Sequence, residues 1–287
     1  MLRDQKCWKV RGGAVSLEKP VFVGILNVTP DSFSDGGKYS SVDDAVDRGR
    51  EMFEQGAAIV DVGGESTRPG AEVVSASEQI RRVVPVIQRL GGLVSVDTTN
   101  AEVAAAAIGA GACIINDVSA CQDDLAMFKL AAETEAGLVL MHRLVSPKHD
   151  QYSDEYESNP EYDDVVHDVL RWLVNRANIA QENGVSRESI AIDPGLGFGK
   201  SVEQNMALVR GIGAFVETGF PVFVGASRKS FIGALSGIRD PQGRDLASAT
   251  MAEEMWRDGA QVFRVHDVRT HCRVLQSTPH ETDNNRR

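Results

Sequence analysis

The chain has little with which to build a metal centre, a disulfide framework or a membrane span. It holds 4 cysteines and 6 histidines in 287 residues. No two cysteines stand at C-x-x-C spacing, and no H-E-x-x-H pattern or tight His–Cys group occurs. That excludes the usual signatures of structural zinc and of a protein-built transition-metal site. Two of the cysteines lie in or beside strongly apolar segments, which predicts reduced, mostly buried thiols and a cytoplasmic protein. No apolar run reaches the ~18 residues a membrane span needs. Met1 to Lys9 is charged and lacks the apolar core of a secretory signal. Positive charge is also scarce: 30 Lys plus Arg face 41 Asp plus Glu, a net charge of −11. Such a balance speaks against nucleic acid and against anionic membrane as partners. An anionic ligand would need a cationic site set locally into a negative body.

What is present is an ordinary globular composition, 42% apolar and 25% charged. The length admits two domains of ~150 residues or one α/β barrel of ~250. A recurring unit decides between them. Gln55–Val62 (QGAAIVDV), Ala110–Asp117 (AGACIIND) and Asp258–Val265 (DGAQVFRV) each follow a helical segment. A glycine there suits the left-handed residue that ends a helix, and the β-branched run after it suits a strand buried on both faces. Five further runs fit the same slot: Val21–Leu26, Leu93–Val96, Leu138–Met141, Ser189–Ile192 and Pro221–Val224. Helical segments are expected at Val42–Glu54, Ala76–Leu90, Asn100–Ile108, Leu125–Glu135, Asp163–Asn183, Val202–Thr218, Ser227–Ser236 with Leu246–Arg257, and Val268–Ser277. This alternation predicts an α/β protein, a single (β/α)8 TIM barrel with long loops after strands one, two and five. One domain spans 1–287, with the barrel over about 21–278 and a polar tail at 279–287. No G-x-G-x-x-G follows the first strand, which disfavours a doubly wound open sheet.

Active sites of such barrels lie at the C-terminal strand ends, and there the apolar runs give way to polar side chains. Asp97, Asn116, Asp193 and Lys229 offer two carboxylates, an amide and an ammonium, suited to a flat heterocycle with amino and carbonyl edges. An alternative is a buried ion cluster in which both aspartates pair with Lys229. Asn27, Arg68, Arg264 and His266 form a second group. Arg264 and His266 share one face of the last strand and read as two cationic donors for an anion. Asn27 could lend one oxygen to a hydrated Mg2+ held mainly through substrate phosphates. The first two loops, with Gly36-Gly37 and Pro69-Gly70 as hinges, read as a closing cover. Asp61 and Glu65 read as structural, Trp172 as helix packing. The acidic stretch Asp150–Asp164 reads as a solvated surface loop away from the anion site.

Seven stretches in order resemble the dihydropteroate synthase family, from about Val21 to Val268: GILNVTPDSFSDGG from Gly24, DVGGESTRPG from Asp61, SVDT from Ser95, IINDV from Ile114, DPGLGFGK from Asp193, SRKSFIG from Ser227 and RVHDV from Arg264. The resemblance implies condensation of 6-hydroxymethyl-7,8-dihydropterin diphosphate with p-aminobenzoate to 7,8-dihydropteroate, a transferase step of folate biosynthesis. It implies pterin contacts from Asp97, Asn116, Asp193 and Lys229. It implies diphosphate contacts from Asn27, Arg68, Arg264 and His266, with Mg2+ at Asn27. The p-aminobenzoate pocket, also the sulfonamide pocket of the family, would be Phe33, Thr67, Pro69, Phe198 and Ser227. No covalent nucleophile is implied; Lys229, Arg264, His266 and Asp193 would support the transition state, and the usual assembly is a homodimer. Two departures stand out. Arg143-Leu144-Val145-Ser146-Pro147 follows Met141-His142 where the family often has Met-Gln-Gly, and Gln204 stands where His is common. Rival readings are a methyltetrahydrofolate-binding barrel, a Schiff-base lyase acting through Lys229, and a non-catalytic ligand-binding barrel.

Overall fold

Eight parallel strands carry the molecule: β3 (Val21–Asn27), β4 (Ile59–Gly63), β5 (Val94–Asp97), β6 (Ile114–Asp117), β7 (Gly137–Met141), β8 (Ile190–Asp193), β9 (Phe223–Val224) and β10 (Val262–Val265). The structure is a computed structural model and describes residues 6–28 and 40–276. The strands run in the order β8-β7-β6-β5-β4-β3-β10-β9. An isolated parallel bridge between Ile192 and Val222 joins the two ends, so the sheet closes into the expected barrel. The fifth of the short strand runs, Pro221–Val224, contributes only two ladder residues plus that bridge.

Helices return the chain outside the barrel: α1 (Ser40–Glu54), α2 (Ala76–Leu90), α3 (Ala101–Ala110), α4 (Ala126–Thr134), α5 (Val165–Glu182), α6 (Val202–Arg210), α7 (Ile212–Val216), α8 (Ser230–Ser236), α9 (Asp245–Arg257) and α10 (Val268–Gln276). Their starts are written locally. The Ser75 side chain accepts from Glu78 N before α2, Asn100 caps α3, and Asp164 caps α5. Ser201 and Gln204 form a reciprocal capping box on α6. The segment expected as one helix over 202–218 is broken at Gly211, whose would-be side chain would meet Val166 at 2.8 Å. The three return glycines, Gly56, Gly111 and Gly259, have φ of 108°, 121° and 100°, a conformation other residues adopt only with strain.

An N-terminal hairpin, β1 (Cys7–Val10) paired with β2 (Gly13–Ser16), was not foreseen. It covers the N-terminal mouth of the barrel. Trp8, Val10, Val15 and Leu17 join Val21, Val23, Ile59, Ile114, Val139, Ala191, Phe223 and Val262 in one buried apolar layer. Trp8 is fully buried and its indole Nε1 donates to the Ser189 carbonyl at 2.8 Å. The opening stretch looks charged because Arg3, Asp4, Lys6 and Lys9 interrupt it. The alternation of Trp8 and Val10 ahead of the Arg11-Gly12-Gly13 turn is its strand signal.

Candidate active site

Strand register gathers the site. Asn27 pairs with Gly63, Gly63 with Asp97, and Asp97 with Asn116; Met141 pairs with Asp193. The C-terminal strand ends therefore stand level, and they open into a cavity of about 530 Å³. Asn27, Asn116, Asp193, Lys229, Arg264 and His266 line it, as do Thr67, Arg68, Pro69, Phe198 and Ser227. Ile25, Val118 and Met141 add apolar wall that the sequence reading did not assign. Phe33 lies outside the described residues, as does the first loop over 29–39.

Asp97 departs from the expected grouping. It is buried behind the cavity wall, and its partner is Arg264, not Lys229 or Asn116. Arg264 donates from Nε to Asp61 Oδ2 and from Nη2 to Asp97 Oδ2, each at 2.7 Å. Asn116 Nδ2 donates to the same Asp61 oxygen at 3.0 Å. Burial opposes the Arg264 charge, but the two carboxylates hold its pKa above the ordinary value. Burial pushes Asp97 up to about 7 despite the pull of Arg264. Asp97 and Asn116 of the first group and Arg264 of the second are thus joined in one hydrogen-bonded cluster, with Asp61 as its hub.

Asp193, the last residue of β8, and Lys229, in the loop after β9, face the cavity. Asp193 Oδ1 accepts from Gly195 N at 2.7 Å. Burial raises Asp193 to about 6 and lowers Lys229 to about 8, each opposed by the charge of the other. The Lys229 ammonium donates to the Leu196 carbonyl and lies 4.3 Å from the Phe198 ring centroid. The loop holding Leu196 and Phe198 turns on left-handed glycines at 195, 197 and 199. A side chain on Gly195 would stand 1.8 Å from the His142 carbonyl oxygen. Lys200, fully buried, fastens this loop from behind. Its Nζ donates to Gly195 O at 3.0 Å, to Phe198 O at 2.8 Å, and meets His142 Nδ1 at 3.1 Å. Burial lowers Lys200 to about 7. His142 itself packs edge-on against Trp172, ring centroids 4.9 Å apart, so Trp172 is packing, as read.

His266 corrects the expectation of two cations on the last strand. Burial, then Arg228, Arg264 and Arg68, push its pKa down to about 3, so the imidazole is neutral near pH 7. Its backbone N donates to Ser227 Oγ at 3.1 Å, and Ser227 Oγ lies 3.1 Å from Nδ1. With the Ser227 hydroxyl donating to Nδ1, Nε2 carries the ring hydrogen and is left as a neutral donor. Capping of α10 falls to Asp267, which accepts from Thr270 N. Arg68 is exposed, and its guanidinium forms no salt bridge among the described residues. Arg228 is tied to Asp245 at 2.7 Å. Glu65 accepts from Val74 N and from Gln79, bracing the second loop, the structural role expected of it.

The acidic stretch after β7 also departs from expectation. It is no detached surface loop: Tyr152, Asp154 and Glu155 line the cavity mouth. Hydrogen bonds stitch it to the neighbouring loops. Gly70 N donates to Pro147 O at 2.9 Å, Gly199 N to Asp150 Oδ2 at 3.0 Å, and Ser153 N to Ser230 Oγ at 2.9 Å. Gln204 Nε2 donates to Pro160 O at 2.7 Å. One departure from the family pattern, Gln204, thus fastens the far end of the loop that the other, Arg143–Pro147, begins. No composition rule could have revealed this, because an acidic loop and a loop folded over a pocket share the same residues.

A model of the pterin binding enzyme family matches residues 23–266. A dihydropteroate synthase of Streptococcus pyogenes is 46% identical over 258 residues, covering 88% of this chain and 92% of that protein. The dihydropteroate synthase of Mycobacterium leprae is 45% identical over 271 residues, covering 91% and 93%. Among solved structures, Xanthomonas albilineans dihydropteroate synthase with 4-aminobenzoic acid superposes with a TM-score of 0.86 at 40% identity, over 96% of this chain and 99% of that one. The same organism's enzyme in complex with 7,8-dihydropteroate gives 0.83 at 37% identity, over 95% and 100%. The chain belongs to the pterin-binding enzymes and, within them, to the dihydropteroate synthase family.

Proposed function

We propose that the protein joins 6-hydroxymethyl-7,8-dihydropterin diphosphate to p-aminobenzoate, releasing diphosphate and forming 7,8-dihydropteroate for folate biosynthesis. The observation that carries this reading is a cavity lined both by Asn116, Asp193 and Lys229 and by Arg68, Arg264 and His266. Asn116, Asp193 and Lys229 hold the pterin between the Ile25, Val118 and Met141 walls, with Asp97 acting behind Arg264. Arg68, Arg264 and the Nε2–H of His266 take the diphosphate. Thr67, Pro69, Phe198 and Ser227 form the p-aminobenzoate pocket, where Ser227 links that pocket to His266.

The chemistry asks for no covalent nucleophile. The C–O bond to diphosphate breaks first, and the electron-rich dihydropterin carries the cation left at its methylene. Arg264, His266 and Lys229 stabilise the departing charge in a site set before reaction. The arylamine is nucleophilic as the neutral amine, so no strong base is required. Water must be kept from the site, since it would otherwise capture the cation.

Mg2+ fits the donor set present. Among the described residues no three His, Cys, Asp or Glu side chains could enclose a metal, whereas Asn27 brings an amide oxygen into the cavity. That suits an ion bound through one protein oxygen, waters and substrate phosphates. Bound there, it would draw charge from the leaving diphosphate. We read the assembly as a homodimer, supported by exposed Leu235 and Leu246 on α8 and α9, and the compartment as cytoplasmic, supported by four free cysteines. Among the described residues no helix is long and apolar enough to cross a membrane, and the net charge of −11 speaks against nucleic acid as a partner.

The test is direct. The purified protein, given both substrates and Mg2+, is expected to release diphosphate and form dihydropteroate. Binding of pterin diphosphate without release on adding p-aminobenzoate would leave only a ligand-binding barrel. Borohydride with a keto acid is expected to trap nothing on Lys229; a reduced adduct would favour the lyase reading.

A further inference from the structure

Asp61 has no place in the cavity wall. It lies in the middle of β4, fully buried, two residues beyond Ile59 and on the same inward face. Yet one of its oxygens serves two wall side chains from opposite sides. Oδ2 accepts from Arg264 Nε on β10 at 2.7 Å and from Asn116 Nδ2 on β6 at 3.0 Å. In the sheet order β10 and β6 are separated by β3, β4 and β5, so this bond pair spans the barrel interior. Asp97 engages only the other end of the Arg264 fork. The second oxygens of both aspartates, Asp61 Oδ1 and Asp97 Oδ1, have no hydrogen-bond partner among the described residues.

A half-satisfied buried carboxylate is a poor way to gain stability. An apolar residue would serve the core better, and Ile59, Val60 and Val62 fill the rest of the strand. What Asp61 alone supplies is direction. With Nε anchored on Asp61, Arg264 reaches Asp97 through Nη2 only. Without it, the planar fork is free to close on both Asp97 oxygens, the geometry guanidinium and carboxylate prefer. That would turn the guanidinium away from the cavity. The Asn116 amide would lose the acceptor that fixes which of its edges faces the ligand.

We propose that Asp61 is a positioning residue for substrate binding, which aims the Arg264 guanidinium and the Asn116 amide at the pterin diphosphate. The inference rests on the reading of those two side chains as its ligands. Asp61→Asn keeps the shape and removes the charge. The substitution is expected to weaken pterin and pterin diphosphate binding, measured by titration calorimetry, by about tenfold, the scale of a charge-assisted hydrogen bond. The KM for pterin diphosphate should rise in step, while the KM for p-aminobenzoate stays within about twofold, as for a site whose other contacts do not change. In an Asn116→Ala/Arg264→Ala background Asp61→Asn should cost no further pterin affinity, because its effect passes through those two residues. Wild-type affinity in the single variant overturns the proposal, and so does an undiminished penalty in the triple variant. If the wild-type protein binds no pterin, the assignment of the site falls and the proposal with it. If the wild type binds and Asp61→Asn binds equally well, only the role of Asp61 is lost.

Discussion

The two ends of one barrel are built from the same strands and follow opposite rules. At the N-terminal end the interior is apolar, closed by the β1–β2 hairpin and centred on Trp8. Two residues further along β4, β6, β8 and β10 the interior holds Asp61, Asn116, Asp193 and Arg264, with Asp97 at the end of β5 beside them. The apolar end gains free energy chiefly from burial, with the Trp8 indole bond to Ser189 as its polar contact. The polar end buries charge at a cost, and the cost persists because every group is aimed. Stability and function are thus separated along the strand axis, and substitutions at the two ends should fail in different ways.

Arg264→Ala should show the largest effect. It leaves Asp61 and Asp97 buried with no cation, a loss of about 3–5 kcal/mol in stability on the scale of broken buried pairs. It should also weaken binding of pterin diphosphate far more than of a plain pterin, as read by calorimetry. The stability deficit should shrink as pH falls, because protonation of Asp97, already raised to about 7, discharges the site. Equal loss of both ligands would break the assignment of Arg264 to the anion.

Trp8→Ala should cost about 3–5 kcal/mol, the usual range for emptying a buried aromatic site. Here denaturant unfolding should register the whole effect. Ligand affinity of the folded fraction should match wild type. A loss of affinity comparable to that of Arg264→Ala would mean that the two ends are coupled and the contrast is false.

The smallest effect concerns pH. Pterin binding that uses an Asp193 carboxylate and a Lys229 ammonium should weaken as pH falls through about 6, where the carboxylate is lost. It should weaken again as pH rises through about 8, where the ammonium is lost. Asp193→Asn should flatten the acid side of this profile and leave the alkaline side. His266 should add no step between these values, since it is neutral throughout.

Much of this was legible in the residues. Eight apolar runs and three glycine returns are local signals, readable within about ten residues of chain. The polar residues at the strand ends were legible for the same reason, since the barrel places every strand end at one face. The partners of those residues were not. Arg264 is 203 residues from Asp61 and 167 from Asp97, and nothing local to either names the other. The neutrality of His266 depends on three arginines and on burial. The fifth loop reads as solvated because its acids are its only conspicuous feature, and its bonds to Gly70, Gly199 and Ser230 arise only when four loops meet.

The order of strands and helices, the face that carries the chemistry and the family to which the chain belongs were determined by the sequence alone, because periodicity, capping and motif are properties of short stretches. Which carboxylate holds which cation, which histidine is neutral and which loop walls the cavity were decided by the closed barrel. Those properties depend on distance and burial between groups brought together from the whole length of the chain.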